Sequence, residues 1–118
     1  MNPPELPGIT HRYYELDTGV RMHVAHAGDE SKPPLIALHG FPQHWYEWRR
    51  VIEDLKGDFH VLAVDLRGLG WTSKAPDGDY RKATIARDVL ALMDDLGYGR
   101  AGLVAHDRGG WVGWHLVL

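Results

Sequence analysis

The stretch that decides the fold is LVAHDRGGW, residues 103–111. A short apolar run ends at Ala105 and a helical pattern begins at Arg108, so a strand-to-helix turn is predicted between them. Asp107 belongs to a residue type that tolerates a positive φ, and Ala105 and Gly109 supply small side chains two positions before and after it. The sequence therefore predicts a tight turn that presents the Asp107 side chain.

This turn makes Asp107 a candidate nucleophile. Unpaired N–H groups at the start of the following helix favour an anion, so we expect an ionised carboxylate at neutral pH. An ionised carboxylate can attack an sp³ carbon without a base and form an alkyl ester, which water must then hydrolyse. The alternative is that Asp107 only caps the helix, which is the commoner role for an isolated Asp.

A second motif, HGFP at residues 39–42, follows an apolar run at residues 35–38. A glycine allows close approach of the backbone, and an X-Pro bond can be cis and so direct an N–H inward. The backbone N–H groups of Phe41 and Arg108 are the candidate oxyanion-hole donors for hydrolysis of an Asp107 ester. Taken alone, HGFP indicates only a turn.

The remaining sequence predicts alternating strands and helices. Residues 10–16 and 20–27 predict a hairpin, further strands are predicted at 35–38, 59–64 and 101–105, helices at 44–56, 84–96 and from 108 onward, and a long loop at 67–80. We expect an α/β fold with a mainly parallel sheet that a β-hairpin opens. Residues 1–118 are predicted to form a single, partial domain without a cap domain.

Composition excludes several functional classes. The net charge of −3 is not concentrated in any block, which argues against nucleic-acid and membrane partners and favours small neutral molecules. The chain has no cysteine and no long apolar stretch, so we expect a reducing, cytoplasmic location. His23 and His26 are three apart on a predicted strand and face opposite sides, so neither a metal site nor a cofactor is expected.

Three stretches, residues 39–49, 65–73 and 106–111, make the chain resemble the epoxide hydrolases and related dehalogenases of the α/β-hydrolase superfamily. The resemblance extends from Tyr13 to Leu118. It implies that Asp107 is the nucleophile and that Asp65 and Arg67 brace a loop. It also implies backbone donors at Phe41 and Arg108, and a substrate pocket formed by His39, Gly40, Pro42, Trp45 and Trp48, of which Trp48 can equally belong to the core.

Three other functions compete with epoxide hydrolysis: dehalogenation, ester hydrolysis by a serine, and a non-catalytic role. Haloalkane dehalogenases usually have a tryptophan where this chain has Arg108, and fluoroacetate dehalogenases resemble a pattern with a second arginine where Trp111 stands. A dehalogenase is therefore the second choice. An esterase fits poorly because Ser31 and Ser73, the two serines, both lie in predicted loops. A non-catalytic, hydrolase-like scaffold is the remaining alternative.

The resemblance also implies a water-activating histidine, an orienting acid and lid tyrosines, all of which normally follow the nucleophile turn. The chain reaches only Leu118, so we expect a hydrolase fold truncated after the helix that follows Asp107, with little activity from these residues alone. The fifth strand would then be an exposed edge beside an apolar helix. A second copy of the chain or another polypeptide is expected to complete the sheet.

Overall fold

A computed structural model describes residues 1–117, and its elements follow the predicted order. The strands are β1 (Ile9–Glu15), β2 (Arg21–Ala27), β3 (Pro34–Leu38), β4 (His60–Val64) and β5 (Gly102–Ala105). The helices are α1 (Arg49–Leu55), α2 (Lys82–Leu96) and α3 (Arg108–Val117), with a 3₁₀ turn at Trp45–Trp48 before α1. Gly97 ends α2 in the left-handed region with φ 76°, as expected for a helix C-terminal glycine.

The sheet has the strand order β1-β2-β4-β3-β5. β3 pairs in parallel with β4 and β5, whereas β2 pairs antiparallel with both β1 and β4. The α/β class and the opening hairpin are confirmed, but the sheet is mixed rather than mainly parallel, because the second hairpin strand adds to β4 in the opposite direction. The carboxyl ends of the three parallel strands lie along the same end of the sheet. The loops after β3, β4 and β5 therefore lie side by side.

Both faces of the sheet are covered, which explains the unbroken apolar runs in β3 and β4. One core cluster joins the sheet to α2 and α3, and its buried members include Leu38, Leu62, Val89 and Val112. The other cluster lies on the opposite face and joins alanines of the strands to the 3₁₀ turn and α1; its members include Ala25, Ala63, Trp45, Trp48 and Ile52.

The predicted helix at 44–56 is divided into the 3₁₀ turn and α1. Trp48 stands at the junction, with φ −88° and ψ 2°. A 3₁₀ turn has three residues per turn, so side chains three positions apart point the same way. Trp45 and Trp48 are thus directed together into the second core cluster.

The loop after β4 is fixed by buried carboxylates. Asp65 accepts hydrogen bonds from the backbone N–H groups of Trp45 (2.7 Å) and Trp71 (2.9 Å). Arg67 donates two hydrogen bonds to Asp88, at 2.7 and 2.8 Å, in a pair that is almost fully buried. Both residues therefore brace the loop, which is the structural role that the sequence assigned to them.

β5 pairs only with β3 and forms one edge of the sheet within the described residues. Trp114 and Val117 on the neighbouring helix are 62% and 65% exposed. Completion of the sheet by a second copy or another chain stays a prediction. Leu118, which the sequence places at the end of this apolar helix, lies outside the described residues. Over residues 1–117, no helix combines the length and apolarity that crossing a membrane requires.

Four polar side chains form a hydrogen-bonded row across the sheet. His26 bonds to Tyr14 (3.0 Å) and to His60 (3.0 Å), and His60 bonds to the Tyr98 hydroxyl (2.9 Å). Two neutral imidazoles satisfy every bond in this row, because each then donates one proton and accepts one. Burial, and next the neighbouring His60, lowers the pKa of His26 to about 3. His26 is therefore neutral in the folded protein.

The neutral His26 should make the fold sensitive to acid. An unfolded histidine has the ordinary pKa of 6.5, so the unfolded chain binds more protons between that pH and about 3. The free energy of unfolding should thus fall as the pH drops, with His26 contributing a loss of at most about 2 kcal/mol between pH 7 and pH 5. Urea denaturation at both pH values measures this loss.

His26→Gln keeps a donor and an acceptor but takes up no proton. Between pH 7 and pH 5 this variant should therefore lose less stability than the wild type, by at most about 2 kcal/mol. His115→Gln, at an exposed position on α3, is the matched control and should retain the wild-type dependence. Equal pH dependence in wild type and His26→Gln would contradict the prediction.

Candidate active site

The backbone at Asp107 follows the predicted turn. Asp107 has φ 55° and, within residues 1–117, is the one residue other than glycine with a positive φ. The N–H of Gly109 donates to the His106 carbonyl and that of Gly110 to the Asp107 carbonyl, both at 2.9 Å, which carries the chain directly from β5 into α3. The turn leaves the Asp107 side chain exposed at the carboxyl end of the parallel strands.

Glycines allow the neighbouring loops to touch this turn. A Cβ atom on Gly109 would lie 2.2 Å from the Leu38 carbonyl oxygen, so the start of α3 rests on the end of β3. A Cβ atom on Gly40 would lie 2.8 Å from the Asp107 Cβ. The two motifs recognised in the sequence, residues 39–42 and 103–111, are therefore in direct contact.

The Asp107 carboxylate faces the HGFP loop. The Phe41 backbone N–H donates to Asp107 Oδ2 at 3.1 Å. This bond, followed by the Arg108 backbone N–H, lowers the pKa of Asp107, so the carboxylate is ionised at neutral pH. In the part of the chain that the structure describes, no ion pair engages Asp107.

A cavity of about 260 Å³ opens at Asp107. Phe41, Arg108 and Trp111 line it together with the carboxylate. The Arg108 guanidinium lies over the Phe41 ring, 4.6 Å from its centre, and Trp111 is 64% exposed. The recess thus combines an anionic oxygen and a guanidinium with two aromatic side chains.

His39 is buried, and backbone groups occupy both of its ring nitrogens. Its Nε2 accepts from the Leu66 N–H at 2.9 Å, so the proton lies on Nδ1, which donates to the Gly40 carbonyl at 2.8 Å. Burial lowers the pKa of His39, consistent with a neutral ring. His39 connects the loops after β3 and β4 and does not line the Asp107 cavity, which corrects the predicted pocket role.

The other predicted pocket residues divide into two groups. Gly40 touches Asp107 and Pro42 is exposed, with a cis peptide bond between Phe41 and Pro42. Trp45 is fully buried and Trp48 is 7% exposed, and both belong to the second core cluster. The prediction that the two tryptophans form the wall of the Asp107 pocket is therefore wrong, because the 3₁₀ turn directs both indoles toward the sheet.

Two residues at the site are not among the predicted pocket residues. Trp111 was considered only at the position of a dehalogenase arginine, yet it forms a wall of the cavity. Its place on the first turn of α3, which directly follows Asp107, is the signal that could have found it. Glu47 contacts the loops on both sides of the site. In the sequence Glu47 lies between the core residues Trp45 and Trp48, and nothing in that pattern predicts that its side chain reaches the site. Within residues 1–117, no group of three His, Cys, Asp or Glu side chains could hold a metal ion.

Comparison with known proteins identifies the family. Residues 33–118 match the family model for the alpha/beta hydrolase fold. This chain belongs to the α/β-hydrolase family. The match includes both the HGFP loop and the Asp107 turn, so the two motifs of the site lie within the part of the hydrolase that defines its family.

The hydrolase is similar to proteins named as epoxide hydrolases. The soluble epoxide hydrolase of Corynebacterium sp. (strain C12) is 48% identical over 109 residues, which are 92% of this chain and 37% of that protein. Epoxide hydrolase 4 of Mus musculus is 39% identical in an alignment of 121 positions, gaps included, that covers 100% of this chain and 33% of that protein. The hydrolase chain thus spans about a third of the length of the curated relatives that it matches.

Solved structures give the same picture. Epoxide hydrolase CorEH superposes with a TM-score of 0.86 at 46% identity, over 92% of this chain and 37% of that one. Epoxide hydrolase VrEH1 from Vigna radiata superposes with a TM-score of 0.85 at 42% identity, over 92% of this chain and 35% of that one.

Proposed function

We propose that this hydrolase opens epoxides with Asp107 as the nucleophile. The observation that carries the proposal is the hydrogen bond of 3.1 Å from the Phe41 N–H to the Asp107 carboxylate, which is held at a positive φ and faces an open cavity. An ionised carboxylate is a nucleophile that needs no base. The relatives named as epoxide hydrolases favour an epoxide as the substrate.

In the first step, an Asp107 oxygen attacks one epoxide carbon, and the bond from that carbon to the ring oxygen breaks. The ring oxygen takes up a proton from water, which leaves hydroxide, and a hydroxyalkyl ester of Asp107 forms. The strain of the three-membered ring makes this displacement favourable. The exposed carboxylate and the small recess in front of it leave room for an epoxide carbon to approach.

In the second step, water attacks the ester carbonyl of Asp107. The negative charge that develops on the carbonyl oxygen is stabilised by the backbone N–H groups of Phe41 and Arg108, which act as an oxyanion hole at the nucleophile elbow. Collapse of the tetrahedral intermediate releases a diol and returns the carboxylate. The diol then carries one oxygen that belonged to Asp107, and the carboxylate carries one oxygen from water.

The side chains at the site favour an epoxide over the substrates of the dehalogenase alternative. Arg108 packs on the Phe41 ring, and Trp111 stands where a second carboxylate-binding arginine would be needed. A single arginine is a weaker clamp on a carboxylate than a pair. We propose a small neutral substrate and a cytoplasmic location, in keeping with the modest net charge and the absence of cysteine.

Mass spectrometry can test the proposal at one peptide. Trypsin should release residues 101–108, AGLVAHDR, whose one side-chain carboxylate is Asp107. The protein is mixed with substoichiometric styrene oxide in heavy-oxygen water, quenched in acid at successive times and digested in ordinary water. We expect either a hydroxyalkyl ester on this peptide or, once the ester is hydrolysed, heavy oxygen in the Asp107 carboxylate.

Hydroxylamine separates the expected ester from alkylation of the neighbouring His106, since it cleaves esters and leaves alkylated imidazoles intact. A peptide 101–108 that gains neither ester nor heavy oxygen while styrene oxide is converted to its diol would refute covalent catalysis by Asp107.

A further inference from the structure

One carboxylate bridges the two loops of the site. Glu47 Oε1 accepts the Gly40 backbone N–H at 2.9 Å, and Glu47 Oε2 lies 3.1 Å from His106 Nδ1. Gly40 directly precedes Phe41, the donor to the nucleophile, and His106 directly precedes Asp107. Glu47 therefore binds the residue before each partner of the hydrogen bond on which the proposed function rests.

The bridge is anchored in the core rather than in the loops that it joins. The Glu47 side chain is only 15% exposed. It projects from the 3₁₀ turn, whose tryptophans Trp45 and Trp48 are buried, and the Trp45 N–H is itself bonded to the buried Asp65. These contacts fix the backbone turn from which the Glu47 carboxylate projects.

The two loops already touch through the Phe41–Asp107 hydrogen bond and through the Arg108 guanidinium on the Phe41 ring, and Glu47 adds a charged contact to these. At their contact, Gly40 has no side chain, and a Cβ atom there would lie 2.9 Å from His106 Nδ1 and 2.8 Å from the Asp107 Cβ. The loops therefore meet without interlocking side chains at this point. The charged acceptor supplies a hydrogen bond stronger than a neutral one would be.

We infer that Glu47 is a positioning residue for this hydrolase: it sets the Phe41 N–H against Asp107 by holding Gly40 and His106. The inference rests on the proposed function for its effect on catalysis, although the positioning itself can be measured without any reaction. Glu47 contacts no reacting atom. Its removal should slow ester formation without changing the cavity that receives the epoxide.

Three variants separate positioning from general stability. Glu47→Ala removes both contacts. Glu47→Gln keeps an oxygen for the Gly40 N–H and places an amide N–H, which can donate a hydrogen bond, beside His106 Nδ1. Glu53→Ala is the matched control, because it removes a glutamate from the adjoining helix α1 whose side chain is 69% exposed and forms an ion pair with Lys56.

The rate of Asp107 ester formation is measured with styrene oxide at several concentrations. Glu47→Ala should lower the maximal rate about tenfold, the change expected when one hydrogen bond to a charged group is lost. The styrene oxide concentration for half-maximal rate should stay the same. Glu47→Gln should restore the rate to within about threefold of wild type, as one neutral hydrogen bond replaces a charged one. Glu53→Ala should equal wild type.

The amide signal of Phe41 in ¹⁵N–¹H NMR spectra reports the positioning directly. Its proton shift should move upfield in Glu47→Ala, as the bond to Asp107 lengthens, and remain in place in Glu47→Gln. An unchanged Phe41 signal in Glu47→Ala would overturn the inference, as would equal loss of rate in the Ala and Gln variants. A wild-type protein that forms no ester would refute the proposed function instead, and the NMR comparison would still decide the role of Glu47.

Discussion

Asp107→Asn should abolish the hydroxyalkyl ester and leave the fold intact. An amide oxygen is a poor nucleophile, so we expect ester formation to fall by roughly 10⁴-fold or more, as when a catalytic nucleophile is removed from other hydrolases. Asparagine also tolerates a positive φ, and its oxygen can still accept the Phe41 N–H. The side chain is exposed and asparagine keeps an acceptor for the Phe41 N–H, so the variant should keep the cooperative unfolding transition of the wild type.

The mass of peptide 101–108 after reaction with styrene oxide measures the first effect, and urea denaturation measures the second. Asp54→Asn, at an exposed position on α1, is the control for loss of a carboxylate away from the site. A fresh sample must retain the asparagine mass, since deamidation would restore the nucleophile. An Asp107→Asn protein that forms a hydroxylamine-sensitive ester at the wild-type rate would contradict the assignment.

Local patterns predicted the turn and most of the secondary structure. The apolar run before Asp107, the small residues around it and the glycine that ends α2 each act within a few residues, so the sequence alone defines them. The contact between Phe41 and Asp107 joins distant positions. It could be predicted because two separate motifs both follow strands that run in the same direction.

Other features depend on packing that no local pattern specifies. Helical spacing predicted that Trp45 and Trp48 lie on the same side of a helix. It could not predict which surface that side contacts, because both faces of the sheet are covered by apolar groups. Likewise, a strand hairpin does not reveal which strand it will join, so the antiparallel pairing of β2 with β4 was missed. Glu47 reaches His106 across 59 positions of sequence, far beyond any periodicity.

The glycine two residues after Asp107, Gly109, shows how strongly packing and site geometry are coupled. A Cβ atom on Gly109 would lie 2.2 Å from the Leu38 carbonyl oxygen and 2.6 Å from that of His39. Both are backbone atoms at or just after the carboxyl end of strand β3, so neither can move aside as the tip of a side chain would. Gly109→Ala must therefore displace α3 from the sheet, together with Asp107 at its start.

We expect Gly109→Ala to lower the free energy of unfolding by roughly 1–3 kcal/mol, the usual range for overpacking. Gly110→Ala is a matched control one residue further along α3, where a Cβ atom meets nothing within 4 Å. It should raise stability by about 0.5–1 kcal/mol, because alanine suits a helix better than glycine. Urea denaturation of the two variants measures the contrast, and similar unfolding midpoints would show that α3 does not rest on β3 through Gly109.

The displacement of α3 also moves Asp107 away from the Phe41 N–H. Gly109→Ala should therefore slow ester formation in the fraction that remains folded.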